Sequence, residues 1–146
     1  RDNLDGFGPD VEEGHTFANN TVAQVAAIKQ MEIIERDGIL EHTRHMGDYF
    51  ATRLKDLQTD FPEMGDIRIV GLHIGVEYVK DPESKEPMVD YAVQIRKEGM
   101  KLGAFFGLGG ANRNVLKIKP PLIITEEEAD EVLDILRRSM VQVLRQ

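Results

Sequence analysis

The sequence predicts an α+β protein in which two N-terminal helices lead into a small, mainly antiparallel sheet with helices on one face. Three observations carry this prediction. Residues 20–58 contain two stretches with apolar side chains at helical spacing. Residues 71–79, GLHIGVEYV, and 114–118, NVLKI, alternate apolar and polar side chains with the period of a strand. Thr125 and Glu128 form a capping box before a last amphipathic helix. Strands grouped between helices in this way indicate a layered α+β domain.

Composition narrows the classes of partner. The chain has 146 residues, 41% of them hydrophobic, which suits one packed domain, and its net charge is −8. This charge argues against nucleic acid and against an anionic membrane surface, since both require a basic face. No apolar run reaches the length of a membrane span, and no signal-peptide layout is present. The absence of cysteine excludes disulfides and thiolate chemistry, and a cytoplasmic location is the expectation.

The N-terminal half divides into an arm and two helices. Residues 1–13 have no periodicity and are expected to form a loop or arm. The helix predicted over 20–37 has apolar residues so densely placed that burial over much of its surface is expected. Asp37-Gly38 ends or kinks it, and a second helix follows over about 40–58. Phe61-Pro62 then stops the helical pattern.

Shorter elements follow the first clear strand. Ile67–Val70 is either the lead-in to that strand or a separate one, and residues 89–102 read as a helix. Ala104–Phe106 is predicted as a short strand before Gly107–Gly110, whose sequence is GLGG. A phosphate-binding loop would need a following helix or a GK[ST] sequence, so a hairpin-type connection is the favoured interpretation of GLGG.

Few side chains suggest that this chain catalyses a reaction on its own. No Ser-His-Asp or Cys-His set can be assembled, so no catalytic residue is predicted. His42 and His45 stand three apart on a helix, but no third ligand has a suitable spacing. Surface histidines are the favoured interpretation and no metal site is predicted, with a zinc-binding helix pair as the minor alternative.

Two polar features remain. In NVLKI, Leu116 and Ile118 share one face, whereas Lys117 lies on the opposite face, which meets either water or another surface. In residues 14–23, GHTFANNTVA, a polar turn runs into a helix. Such a turn serves either as an ordinary helix cap or as a holder for an anion at the helix mouth.

Taken in order, these segments resemble the C-terminal part of class III pyridoxal-phosphate-dependent aminotransferases, the group that includes ornithine and 4-aminobutyrate aminotransferases. The resemblance runs from about Gly14 to the end of the chain. It rests on GHTFANNTVA, on the helix pair ERDGILEHTRHMGDYFATRL, on IRIVGLHIGVEYV, and on NVLKIKPPLIITEEEAD. No single motif is strong, but their order and spacing are specific.

The resemblance implies a division of the chain and roles for three residues. Residues 1–19 would hold an arm and a cofactor-phosphate turn, 20–62 the inter-domain helices, and 63–146 the C-terminal small domain. Thr16, with His15 beside it, would bind the phosphate of pyridoxal phosphate held by the neighbouring subunit. Lys117 occupies the position where the family often has an arginine that grips a substrate carboxylate. Lysine lacks the planar fork of arginine, so two-pronged recognition of a carboxylate is in doubt.

The resemblance also implies what the chain would need from elsewhere. By the spacing that the resemblance implies, the Schiff-base lysine would lie in a large domain about thirty residues before Thr16. The first lysine here, Lys29, falls inside a helix after the threonine turn and is not that lysine. The expected partners are that large domain and a second identical subunit in a dimer, with an amino acid or amine and a 2-oxo acid as substrates.

A fragment without activity of its own is therefore expected, self-associating through the helix over 20–37. Arg1 is not a start residue, which favours truncation. The alternative is a non-catalytic binding or assembly module that reuses the small domain, and a start codon near Arg1 would favour it.

Overall fold

The computed structural model describes residues 19–145. The chain divides into two units, the first ending at Asp37 and the second beginning at Gly38. Along the chain the helices and strands are α1 (Thr21–Arg36), α2 (Ile39–Asp60), β1 (Met64–Val70), β2 (His73–Tyr78), α3 (Val89–Lys101), β3 (Gly107–Gly109), β4 (Val115–Ile118) and α4 (Glu126–Leu144). This order confirms the predicted α+β class, with two helices before the sheet. None of the helices in residues 19–145 is long and apolar enough to cross a membrane.

Helix α1 forms as predicted, but the burial expected from its apolar spacing does not occur within the described chain; its apolar surface is exposed, as expected of the surface through which a fragment would self-associate. The Asn20 side chain accepts a hydrogen bond from the backbone N–H of Ala23 at 3.1 Å, which is ordinary N-capping. None of the residues of α1 is buried, and Val22 and Val25 are 77% and 66% exposed. Dense apolar spacing shows which surface a helix is able to bury. Burial itself requires another surface that covers it, and the residues of α1 have no such cover within the described chain.

The second unit is built on a four-stranded antiparallel sheet with strand order β1-β2-β4-β3. The segment that includes Ile67–Val70 proves to be a separate strand, β1, which pairs with β2 as a hairpin. Ile67 and Ile69 stand opposite Val76 and Ile74, and Val76 stands opposite Leu116 on β4. The alternation in the sequence thus places all these apolar residues on one face of the sheet.

Helices α2, α3 and α4 supply the rest of the core on that face. Phe50 and Leu54 of α2, Ile95 of α3 and Leu136 and Met140 of α4 are fully buried with the strand residues. The capping box at the start of α4 is confirmed, since the Thr125 hydroxyl accepts from Glu128 N–H and the Glu128 carboxylate accepts from Thr125 N–H. The predicted sheet with helices on one face is confirmed.

Helix α2 is also tied to the beginning of α4 by polar contacts. The Tyr49 hydroxyl donates to Asp130 Oδ1 at 2.8 Å, and the Arg53 guanidinium pairs with the same carboxylate at 2.7 Å. These two donors lower the pKa of the Asp130 carboxyl. His42 Nε2 lies 2.9 Å from the carbonyl oxygen of Ile124, and His45 Nε2 lies 3.0 Å from Glu126 Oε1. His42 therefore ties α2 to the loop before α4, and His45 ties it to the first residue of α4.

The predicted strand Ala104–Phe106 is wrong. Strand β3 begins three residues later, at Gly107, and includes most of the GLGG sequence. The reason is that Phe106 is 1% exposed and packs against α3, where a β-carbon at Gly99 would come within 2.6 Å of the ring. Phe106 thus fills the core before the strand starts. GLGG does belong to a hairpin, because β3 pairs antiparallel with β4, but its first three residues form the strand and only Gly110 lies in the connection.

Candidate functional site

The face of the sheet opposite the helices, here called the open face, carries the polar side chains of the strands. Its central row runs across all four strands as Arg68 on β1, Gly75 on β2, Lys117 on β4 and Gly107 on β3. The next row contains Asp66, Glu77, Val115 and Gly109. Glycine therefore flanks Lys117 on both neighbouring strands, and the lysine rises from a floor that has few other side chains.

The Lys117 side chain lies across β3. A β-carbon at Gly107 would stand 3.3 Å from Lys117 Cβ, and one at Gly109 would stand 3.3 Å from Lys117 Cδ. A β-carbon at Gly109 would also overlap Lys117 Cε and Nζ. The aliphatic part of the Lys117 side chain runs diagonally from β4 to the residue two positions along β3, a distance that long side chains are able to bridge. It holds the ammonium group above the backbone of Gly109.

The two cations of the central row differ in their partners. The Arg68 guanidinium donates to Glu77 Oε2 at 2.6 Å and pairs with Asp66 at 3.1 Å. Asn114, which is buried, donates to the carbonyl oxygen of Tyr78 at 2.8 Å and to Glu77 Oε1 at 3.3 Å. The charge of Arg68 is thereby compensated. Lys117, in contrast, has no carboxylate partner within residues 19–145.

The arrangement is able to bind a small anion. A shallow groove on the open face passes beside Lys117, and its lining includes Arg68, Val70, His73, Gly75, Val115 and Lys117. Solvent screens the charge of a half-buried lysine less than that of a fully exposed one. Its ammonium group also offers three N–H donors to a carboxylate. As a point charge it attracts an anion without dictating two-pronged geometry.

The remaining sequence-predicted residues are placed as follows. Thr16 and His15 lie outside the described residues. His42 and His45 do not form a metal site with other ligands, because residues 19–145 contain no cluster of three or more histidines and carboxylates suited to a metal. Lys29 projects from α1 with a side chain that is 67% exposed, paired with Glu32, which gives its amine no pocket in the described chain.

Sequence reasoning found Lys117 but missed its surroundings. The glycines at 75, 107 and 109 occur in strands where glycine is disfavoured, which is a sign of close approach by another group. Only the pairing register shows that this group is Lys117 at Gly107 and Gly109, whereas at Gly75 it is Val115. Arg68 escaped notice because an isolated charge on a strand normally faces solvent.

Comparison with known proteins gives a consistent result. The class III aminotransferase family model matches residues 6–140. The chain is 34% identical over 145 residues to ethanolamine-phosphate phospho-lyase homolog 1 of Caenorhabditis elegans, covering 92% of this chain and 30% of that protein. It is 38% identical over 132 residues to leucine/methionine racemase of Thermococcus litoralis, covering 89% and 29%.

A solved structure extends the similarity to the fold. An aminotransferase of Bacillus anthracis superposes with a TM-score of 0.75 at 35% identity, over 80% of this chain and 27% of that one. The chain thus spans about three tenths of the length of the proteins that it matches.

Proposed function

Since this chain belongs to the class III aminotransferase family, we propose that it forms the C-terminal part of a pyridoxal-phosphate-dependent enzyme that moves an amino group from an amino acid or amine to a 2-oxo acid. In this proposal Lys117 binds the carboxylate of the substrate. The observation that carries the proposal is the Lys117 ammonium group, which stands on a glycine floor without a carboxylate partner in the described chain. A substrate carboxylate supplies the missing counter-charge.

Lys117 acts in this proposal through position and charge. Its ammonium group attracts the carboxylate and holds the substrate so that its amine faces the reacting centre, which converts binding energy into orientation. Arg68 is already committed to Glu77 and Asp66, so it shapes the edge of the groove without competing for the substrate. A lysine tolerates carboxylates at different angles better than the planar guanidinium of an arginine does. The range of acids that the site accepts is correspondingly broader.

The cofactor-binding role falls on Thr16 and His15. The donor groups fit a phosphate, because a threonine hydroxyl and an imidazole N–H both donate hydrogen bonds to phosphate oxygens. When bound, pyridoxal phosphate supplies the electron sink that stabilises negative charge at the substrate carbon. The family is dependent on this cofactor, and in the proposal the phosphate belongs to a neighbouring subunit.

The proposal assigns the parts of the chain as an arm and phosphate turn over 1–19, inter-domain helices over 20–62 and a small domain over 63–146. Within 20–62 the link is proposed to be mainly α1, because Phe50 and Leu54 of α2 are buried in the core of the second unit. The partners are a large domain that carries the lysine which binds the cofactor, and a second identical subunit. The exposed apolar side chains of α1, such as Val22 and Val25, suit such contacts.

The test compares this chain with the complete protein that contains it, each supplied with pyridoxal phosphate. The complete protein is expected to convert L-alanine and pyridoxal phosphate to pyruvate and the aminated cofactor, whereas the 146-residue chain gives neither turnover nor visible absorbance from bound cofactor. Turnover by the chain alone would refute the proposal, and a complete protein that binds no cofactor would favour a non-catalytic module.

A panel of substrates separates the reactions that a shared cofactor supports. Two of the relatives are named as a phospho-lyase and a racemase, which shows that the family includes other reactions at an amino-bearing carbon. Oxo acid formation, loss of optical activity and phosphate release from phosphoethanolamine are measured on the same preparation. Dominant oxo acid formation supports amino transfer, whereas dominance of either other reaction would replace it.

A further inference from the structure

We propose that Gly109 is a positioning residue for Lys117 and that its missing side chain sets where the substrate carboxylate is bound. The inference rests on the proposed role of Lys117. It goes further, because it proposes that β3, whose glycines carry no functional group, helps to determine which carboxylate the site binds. A carboxylate at this site is held at the distance and angle that the resting ammonium group allows.

The geometry identifies one glycine among the neighbours of Lys117. A β-carbon at Gly109 would overlap both Cε and Nζ of Lys117, whereas one at Gly107 would stand 3.3 Å from Cβ and 3.9 Å from Cδ, in ordinary contact or slightly tighter. A β-carbon at Gly75, on the other side of Lys117, would meet Val115 at 3.2 Å. Gly109 is thus the position at which a side chain would move the charged end of the lysine.

The backbone does not account for this glycine. Gly110, the next residue, has a φ of 79° and needs to be glycine for conformational reasons. Gly109 is not among the positive-φ residues and lies in a regular antiparallel pair opposite Val115. Alanine is therefore compatible with the backbone at 109. The three atoms nearest to a β-carbon at 109 all belong to the Lys117 side chain, so the empty position serves that side chain.

A substitution at 109 should separate function from folding. The overlapping atoms are the far end of a flexible side chain, which is able to move aside at small cost. Replacing glycine by alanine in an extended segment also reduces the entropy of the unfolded chain, which favours folding. Gly109→Ala is therefore expected to leave the unfolding midpoint unchanged or raised while it displaces the ammonium group.

The first measurement follows Lys117 directly in this 146-residue chain. Lysine side chains are labelled with ¹³C and ¹⁵N, and the Lys117 Cε and Nζ signals are assigned with Lys117→Met. Gly109→Ala is expected to shift these signals clearly more than the matched control Gly107→Ala does. Equal or absent shifts in the two variants would overturn the inference, because the charged end would then not lie over Gly109.

The second measurement uses the complete holoenzyme with L-alanine and with 2-aminopropane, which replaces the carboxylate by a methyl group. Gly109→Ala is expected to raise the KM for L-alanine about 10- to 100-fold, the range of a lost charge-assisted hydrogen bond, with little change in kcat or in the KM for 2-aminopropane. In a Lys117→Met background the same substitution should have no further effect on either substrate.

The outcomes distinguish the two proposals. If Lys117→Met raises the KM for L-alanine and Gly109→Ala does not, the inference fails and the role of Lys117 stands. If Gly109→Ala acts equally in the Lys117→Met background, Gly109 works through another group and the inference also fails. If neither substitution changes the KM for L-alanine, both the inference and the proposed role of Lys117 are wrong.

Discussion

The two faces of the sheet are built from alternate residues of the same strands, yet they serve different ends. On the covered face Leu116 and Ile74 are fully buried beneath three helices, and their packing stabilises the fold. On the open face Lys117, adjacent to Leu116, stands among glycines with a charge that no described carboxylate compensates. The difference shows that one strand is able to divide stability and binding between neighbouring residues.

The largest effect tests that division at adjacent positions. Leu116→Ala is expected to lower the free energy of unfolding by about 2–5 kcal/mol, because it removes a fully buried side chain and leaves a cavity. Lys117→Met keeps an aliphatic side chain of similar length and is expected to change the free energy of unfolding by less than about 0.5 kcal/mol. Urea unfolding followed by circular dichroism measures both. Comparable losses for the two variants would contradict the division between the faces.

A second effect concerns the polar atoms of the covered face. Burial raises the pKa of the Tyr78 hydroxyl well above its ordinary value, with further contributions from Tyr91 and Glu63. Burial, followed by the charge of Glu63, raises the pKa of Tyr91 as well. A raised pKa in the folded state means that the stabilisation is complete below the unfolded pKa of about 10 and is lost as the pH rises above it.

The expected loss is about 1.4 kcal/mol per pH unit above about pH 10 for Tyr78, with a smaller share from Tyr91. Tyr78→Phe should remove its share of this alkaline loss. Tyr49→Phe is the comparison: the hydrogen bond to Asp130 also raises the pKa of Tyr49, but less than burial raises that of Tyr78, so this variant should remove a smaller share of the loss. Urea unfolding at pH 8, 10 and 11 measures the slope. An unchanged slope in Tyr78→Phe would show that this hydroxyl is not held neutral by burial.

The smallest effect belongs to the ion pair on the open face. Arg68 has a side chain that is 60% exposed, so its pair with Glu77 is largely screened by water. Arg68→Gln is expected to lower the free energy of unfolding by at most about 1 kcal/mol in dilute buffer. The difference should fade in about 1 M salt. A loss of several kcal/mol that persisted in high salt would show that the open face also stabilises the fold.

The covered face could be predicted from the sequence, because alternation and helical spacing report directly on burial. The alternation in residues 71–79 places Leu72, Ile74, Val76 and Tyr78 on one face, and all four are buried. The capping box at Thr125 was equally direct, since its two hydrogen bonds join residues three apart. Helix α1 shows the limit, because its spacing predicts an apolar surface but not whether the described chain covers that surface.

The open face could be predicted only in part. Lys117 stood out as a charge between two core residues, but the glycines around it gained meaning only from the register that pairs β3 with β4. That register joins positions six to ten residues apart across a turn, and glycine at 107 and 109 made the segment resemble a loop. Phe106 made Ala104–Phe106 resemble a strand, but its side chain packs against Gly99 and not in the sheet.

The most direct test of the account measures the KM of the complete holoenzyme and of its Lys117→Met variant for L-alanine and for 2-aminopropane. If Lys117 binds the carboxylate, the KM for L-alanine rises about 10- to 100-fold in the variant while that for 2-aminopropane stays unchanged. Equal changes for the two substrates, or no change for L-alanine, would contradict the assignment of the open face as the site of carboxylate binding.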